Sequence, residues 1–110
     1  MLQLIQEART VEANDRIFDY VTTLAEATRT HPMVELGVSP RGALALCRMA
    51  KAHAFLAGRD FAVPEDVAAV FPDVCAHRLI LSAKARMMEE KAENILAEIL
   101  KSVDMPVLKA

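Results

Sequence analysis

Arg41 is the residue whose type and place most suggest chemistry. It follows Ser39 and Pro40. Serine is a natural N-cap and proline suits the first helical position, so a helix starts here with Arg41 second in it. The first turn of a helix exposes unpaired N–H groups and a partial positive charge. A cation there is unfavourable by roughly 0.3–1 kcal/mol. An anion held between the helix start and the guanidinium would compensate, and arginine can grip phosphate oxygens through two parallel hydrogen bonds. The residues alone leave two readings open. Arg41 is either a phosphate ligand, with Ser39 and Pro40 as the helix start that positions it, or an exposed arginine paired with a carboxylate such as Glu35.

The other candidates are weaker. Arg48 lies two turns further along the same face, about 10 Å by helix rise. It reads as a solvated or interface charge. His77 and Arg78 end a helical turn, where cations complement the dipole. Capping is one role for them, and contact with a neighbouring subunit or a nucleotide is the other. Arg59 and Asp60 read as a local ion pair. His53 falls on an apolar arc and reads as a hydrogen-bonded core histidine, and His31, beside Pro32, as a surface loop residue. Cys47 and Cys75 stand 28 positions apart with no CxxC and no ligand-spaced histidine. They read as buried, reduced thiols, and no metal site is expected. The only glycines are Gly37, Gly42 and Gly58, and none belongs to a GxxxxGK[ST] or GxGxxG pattern. No catalytic triad or paired-carboxylate site is legible. This chain by itself is not expected to be an enzyme.

The elements that must position these residues are helical. A short helix is predicted over residues 2–10, on the stripe Leu2, Ile5 and Ala8, followed by extended residues 11–13. Asn14 caps a second helix over 15–29. Ile17, Val21, Leu24 and Thr28 line its packing face, with Phe18 and Ala25 beside them. Residues 30–38 read as a loop. The Arg41 helix runs to about Ala57, with Gly58 as its stop. It is apolar over most of its circumference, which predicts a central place, except for a strip of Arg41, Arg48 and Lys51. Pro64 opens the next helix, with Glu65 and Asp66 in the first turn, and Phe71-Pro72-Asp73 is expected to interrupt it. Leu79–Leu81 is expected to be extended and could pair with 11–13 as a small ribbon. A last helix is predicted over 86–103, packing through Met88, Ala92, Ile95, Leu96, Ile99 and Val103. The fold class is therefore all-α, a bundle of about five helices with a minor two-stranded ribbon.

The bulk numbers agree. Across 110 residues, 54% are apolar and 5% aromatic. That is one domain's worth of chain with a modest core, rich in helix formers. A net charge of -2 and a pI near 5.9 give no basic bias, so no nucleic-acid partner is expected. No apolar run approaches the roughly 20 residues that span a bilayer, and the first residues lack the pattern of a secretory signal. Membrane insertion is not expected, and a cytoplasmic location is.

Three blocks in register resemble a known family. They are Gly37-Val38-Ser39-Pro40-Arg41-Gly42, then Gly58-Arg59-Asp60-Phe61-Ala62-Val63-Pro64-Glu65-Asp66-Val67, then Pro72-Asp73-Val74-Cys75-Ala76-His77-Arg78-Leu79. No single block is specific. Their order and spacing, over about residues 11–103, resemble the C-terminal lid of MoxR-type AAA+ ATPases. The resemblance implies a single lid domain over 1–110 without the preceding core, which in that family holds the Walker motifs, ATP and Mg. It implies that Arg41 is sensor 2, reaching the phosphates of ATP, and that the lid turns nucleotide state into movement within a ring. The partners it implies are the chain's own ATPase core, neighbouring subunits of a homo-oligomeric ring, and a von Willebrand factor A domain protein served by a chaperone-like activity. The full-length protein would hydrolyse ATP. A stand-alone helical interaction module is the alternative. Three positions depart from the family's pattern. Val63 stands where a capping Thr or Ser is usual, so the helix at Pro64 is expected to start loosely. Cys75 replaces a Leu. Gly42 stands where Ala is common, which is expected to loosen the turn that aims Arg41.

Overall fold

The computed structural model describes residues 14–106. The predicted helix over 2–10 and the extended residues 11–13 lie outside them. Five α-helices and one two-stranded antiparallel ribbon make up the described chain. The elements are α1 (Asp15–Thr30), β1 (Val34–Leu36), α2 (Pro40–Leu56), α3 (Pro64–Cys75), a 3₁₀ turn (Ala76–Arg78), β2 (Ile80–Leu81), α4 (Ala83–Met87) and α5 (Ala92–Ser102). No helix among the described residues is long and apolar enough to cross a membrane.

The first three helices each start for a local reason. Asn14 Oδ1 accepts the Ile17 N–H at the head of α1, and Ser39 Oγ accepts the Gly42 N–H at the head of α2. α2 ends in a Schellman motif. The Arg59 N–H donates to the Ala54 carbonyl and the Gly58 N–H to the Phe55 carbonyl, with Gly58 at φ +82°. Val63 has no side-chain oxygen to cap α3. The helix is held instead by Asp66, whose carboxylate reaches back to the Val63 N–H at 2.7 Å. The loose start expected at Val63 is therefore absent.

The core forms where α1 and α3 meet the inner face of α2 and α5 closes over α1 and α3. Phe71, Ile17, Leu24, Leu46, Ile95, Leu96 and Ile99 are its largest buried side chains. On α1 the predicted stripe is buried, Thr28 included. Tyr20 is buried too, whereas Phe18 is exposed with the Lys51 ammonium 5.9 Å from its ring centre. Cys47 and Cys75 are free and buried. Burial pushes the Cys75 thiol up to about 11, with Arg78 pulling weakly the other way.

Four expectations are corrected. Residues 34–36 are a strand rather than loop, and they pair with β2 in the register Val34 to Leu81 and Leu36 to Ile80. The ribbon partner of β2 among the described residues is thus β1, while 11–13 lie outside them. α3 runs unbroken through Pro72, because one missing N–H deep in a packed helix forfeits one bond while Phe71, Val74 and Cys75 stay buried. The single helix predicted over 86–103 is two. α4 closes in a second Schellman motif with Glu89 at φ 55°, its N–H donating to Arg86 and that of Glu90 to Ala85. Lastly, α2 is one-sided rather than central. Leu46, Cys47, Ala50 and Ala54 face inward, while Leu44 (52% exposed), Met49 (47%) and Leu56 (70%) face out.

Candidate functional site

The segment from Gly37 to Gly42 is built residue by residue. Gly37 lies flat against the end of α1. A Cβ there would come 2.7 Å from the Arg29 nitrogen and 2.8 Å from the Thr28 carbonyl carbon, so only glycine allows this approach. Val38 is completely buried and both its backbone groups are taken by α1. Its N–H donates to Thr28 Oγ1 at 2.9 Å, and its carbonyl accepts from Arg29 Nε at 2.9 Å. Ser39 then caps α2 and Pro40 supplies the first helical φ. Gly42 leaves room for two neighbours. A Cβ there would meet Val38 Cγ1 at 2.8 Å and Arg78 Cδ at 3.3 Å. Gly42 therefore packs the turn tightly, contrary to the loosening expected of it.

Arg41 is exposed at the second position of α2 and has no ion pair or hydrogen bond with a described residue. Glu35 does not pair with it. α2 also has no acidic residue in its first turn, whereas Asp15, Glu65 with Asp66, and Glu93 stand in the first turns of α1, α3 and α5. The dipole and the guanidinium thus add at the head of α2 without a compensating carboxylate. Arg78 joins this region. Its stem lies over Gly42 and its Nε donates to the Val74 carbonyl at 3.0 Å. His77 turns elsewhere, lining a shallow concavity with Pro72, Asp73, Ala76 and Glu93. Arg48 is exposed further along α2, past Leu44 on the same outer face. Of the sequence candidates, then, Ser39, Pro40, Arg41 and Arg78 come together, while Arg48 and His77 stand apart. Among the described residues no cluster of His, Cys, Asp and Glu is arranged to hold a metal ion.

A second polar centre joins the end of α2 to the start of α3. Asp66 is fully buried. Arg59 grips it with both terminal nitrogens, Nη1 to Oδ2 and Nη2 to Oδ1, each at 2.7 Å. His53 Nδ1 lies 2.7 Å from Oδ1. The carboxylate only accepts, so Nδ1 carries the proton. Burial alone would raise the Asp66 carboxyl, but the hydrogen bonds from Arg59, the Val63 N–H and His53 outweigh it and hold the group below the usual carboxylate range. Arg59 is therefore the partner of Asp66 and not of Asp60. His53 is hydrogen-bonded as expected, but sits at the rim with its side chain 44% exposed. His31 is nearly buried rather than a surface residue, and its Nδ1 accepts the Met33 N–H at 3.1 Å.

Sequence reasoning missed Thr28 and Arg29 as supports of the Arg41 turn. One signal was present. A threonine on the packing stripe of a helix must satisfy its hydroxyl, and a chain returning beside that helix end offers an amide to do so.

Comparison with known proteins places these features in a wider setting. The family model described as AAA lid domain matches residues 26–99. The chain is 39% identical over 107 residues to YeaC of Bacillus subtilis, covering 97% of this chain and 33% of that protein. It is 32% identical over 119 residues to chaperone MoxR1 of Mycobacterium tuberculosis, covering 100% of this chain and 32% of that protein. A crystal structure of a candidate ATPase from Cytophaga hutchinsonii superposes with a TM-score of 0.87 at 31% identity, over 93% of this chain and 34% of that one. The chain thus spans about a third of the length of the proteins it matches.

Proposed function

The chain belongs to the AAA lid domain family, and from that premise we propose that it is the lid of a MoxR-type AAA+ ATPase in which Arg41 acts as sensor 2. The observation that carries this reading is Arg41 itself, an unpaired guanidinium at a helix head that lacks an acidic residue and is pinned to the neighbouring helix.

The residues fit a phosphate ligand. The exposed guanidinium of Arg41 supplies paired donors, and the first turn of α2 adds its dipole to them. Arg78, held over Gly42 by its bond to Val74, raises the positive potential of the same region. ATP bound in the core supplies the phosphoanhydride bond that is hydrolysed. Arg41 would bind its phosphate oxygens and stabilise the charge that grows on them in the transition state. The lid has a rigid route for passing that contact on, since the turn carrying Arg41 is bonded through Val38 to α1 and capped into α2. A change at the phosphates therefore moves the bundle as a body. The uncovered outer face of α2, with Leu44 and Met49 beside Arg41 and Arg48, fits docking against the chain's own ATPase core. We extend the proposal to neighbouring subunits of a homo-oligomeric ring, and to a von Willebrand factor A domain protein as client, on the family resemblance.

Steady-state ATP hydrolysis by the full-length protein tests the reading. Arg41→Ala, with folding and assembly unchanged, is expected to lower kcat by about ten- to a thousand-fold, on the order of 1.4–4 kcal/mol of transition-state stabilisation. Unchanged hydrolysis would refute the sensor role. It would leave the same outer face of α2 to the alternative, a stand-alone helical module that binds a partner protein through the strip of Arg41 and Arg48 or an apolar groove.

A further inference from the structure

We infer that Thr28 is a positioning residue for Arg41, acting through the backbone of Val38. The inference rests on the sensor 2 reading of Arg41 and adds to it a residue thirteen positions upstream, on a different helix.

Thr28 is fully buried near the end of α1, and its hydroxyl does two things at once. Oγ1 donates to the Ala25 carbonyl at 2.6 Å and accepts the Val38 N–H at 2.9 Å. A threonine kept only for packing would need the first bond alone, to satisfy itself within its own helix. The second bond reaches across to the turn. Arg29, the next residue, takes the Val38 carbonyl with Nε. Val38 thus has both backbone groups held by α1 and its side chain enclosed.

Little freedom remains between Val38 and Arg41. Ser39 is extended, at φ -73° and ψ 165°, and is fixed by its cap on Gly42. Pro40 has a fixed φ. The direction in which Arg41 leaves α2 is therefore set by where α1 holds Val38. Removing the Thr28 hydroxyl leaves a buried N–H without its acceptor and releases one side of that grip. A misplacement of about 1 Å at a catalytic contact can cost about a hundred-fold in rate.

The experiment is a double-mutant cycle in ATP hydrolysis by the full-length protein, with folding and assembly checked for every variant. Thr28→Val, which keeps the shape and removes the hydroxyl, is expected to lower kcat ten-fold or more while the KM for ATP stays within about two-fold, as for a contact made chiefly in the transition state. Thr28→Ser is expected to restore most of kcat. In an Arg41→Ala background, Thr28→Val is expected to change nothing further. Equal losses in both backgrounds would show a merely structural role and overturn the inference, as would a wild-type kcat for Thr28→Val. Should Thr28→Val fail to fold, Arg29→Met at its exposed position removes the other half of the grip. It is expected to lower kcat several-fold, again only when Arg41 is present, and a loss that persists without Arg41 overturns the inference. Failure of the underlying reading looks different, because Arg41→Ala alone would then leave hydrolysis unchanged.

Discussion

Arg41 and Asp66 are both charged residues in the first turn of a helix that begins with proline, and they meet opposite fates. Asp66 has the sign the dipole favours. It is buried, ionised and bonded to Arg59, His53 and the Val63 N–H. Arg41 has the wrong sign and is left exposed. Stability alone would favour keeping Asp66 and discarding Arg41, and this contrast supports the functional role proposed for Arg41. Asp66 makes its own prediction. Its folded-state pKa lies below the ordinary value, so the stability it contributes is full above the unfolded pKa of about 3.9 and is lost as pH falls through the lower, folded value. Asp66→Asn is expected to destabilise the purified chain by about 3 kcal/mol at pH 7, since it strands Arg59 and removes a buried charge partner. Denaturant unfolding should also show a smaller loss of stability between pH 7 and pH 3 for the variant than for the parent. An equal loss would place the acid sensitivity elsewhere. Arg41 was legible in the sequence because Ser39, Pro40 and a helix start are local signals. The Asp66 partners and the Thr28 support were not, because tertiary packing brings together residues 7 to 13 positions apart that no periodicity links.

At the scale of elements, the long amphipathic helices were readable from their stripes and caps, and the errors fall where geometry lacks a residue signature. Residues 86–103 keep an apolar spacing that suits one helix. The break is made by Glu89 in a left-handed conformation, and nothing about a glutamate announces that. β1 and β2 are too short for alternation to show. Pro72 signals a break, but the packing of Phe71 and Val74 carries α3 past it. Glu89 is the residue to test. It occupies the position after the cap of α4 where glycine is usual, and an L side chain there is strained. Glu89→Gly is expected to stabilise the fold by about 0.5–1 kcal/mol, because relief of that strain exceeds the entropy glycine adds to the unfolded chain. Thermal unfolding should then shift upward by a few degrees. A lowered melting temperature would mean that the Glu89 side chain contributes more than its backbone costs.

Taken whole, the molecule is polarised. One side of α2 is closed by α1 and α3. The other carries Arg41, Leu44, Arg48 and Met49 in the open. The sequence pattern overstated how central α2 is, since it shows where apolar residues lie but not which of them the fold covers. The uncovered apolar face lies beside Arg41, and on the proposed reading this is the face that would meet the nucleotide-bearing core. The most direct measurement is the distance from the Arg41 guanidinium to the nearest phosphate oxygen in a structure of the full-length protein bound to a non-hydrolysable ATP analogue. Direct contact is expected, at about 2.7–2.9 Å, with the outer face of α2 against the core. A well-ordered analogue with Arg41 turned to solvent, beyond reach of any phosphate, would contradict it.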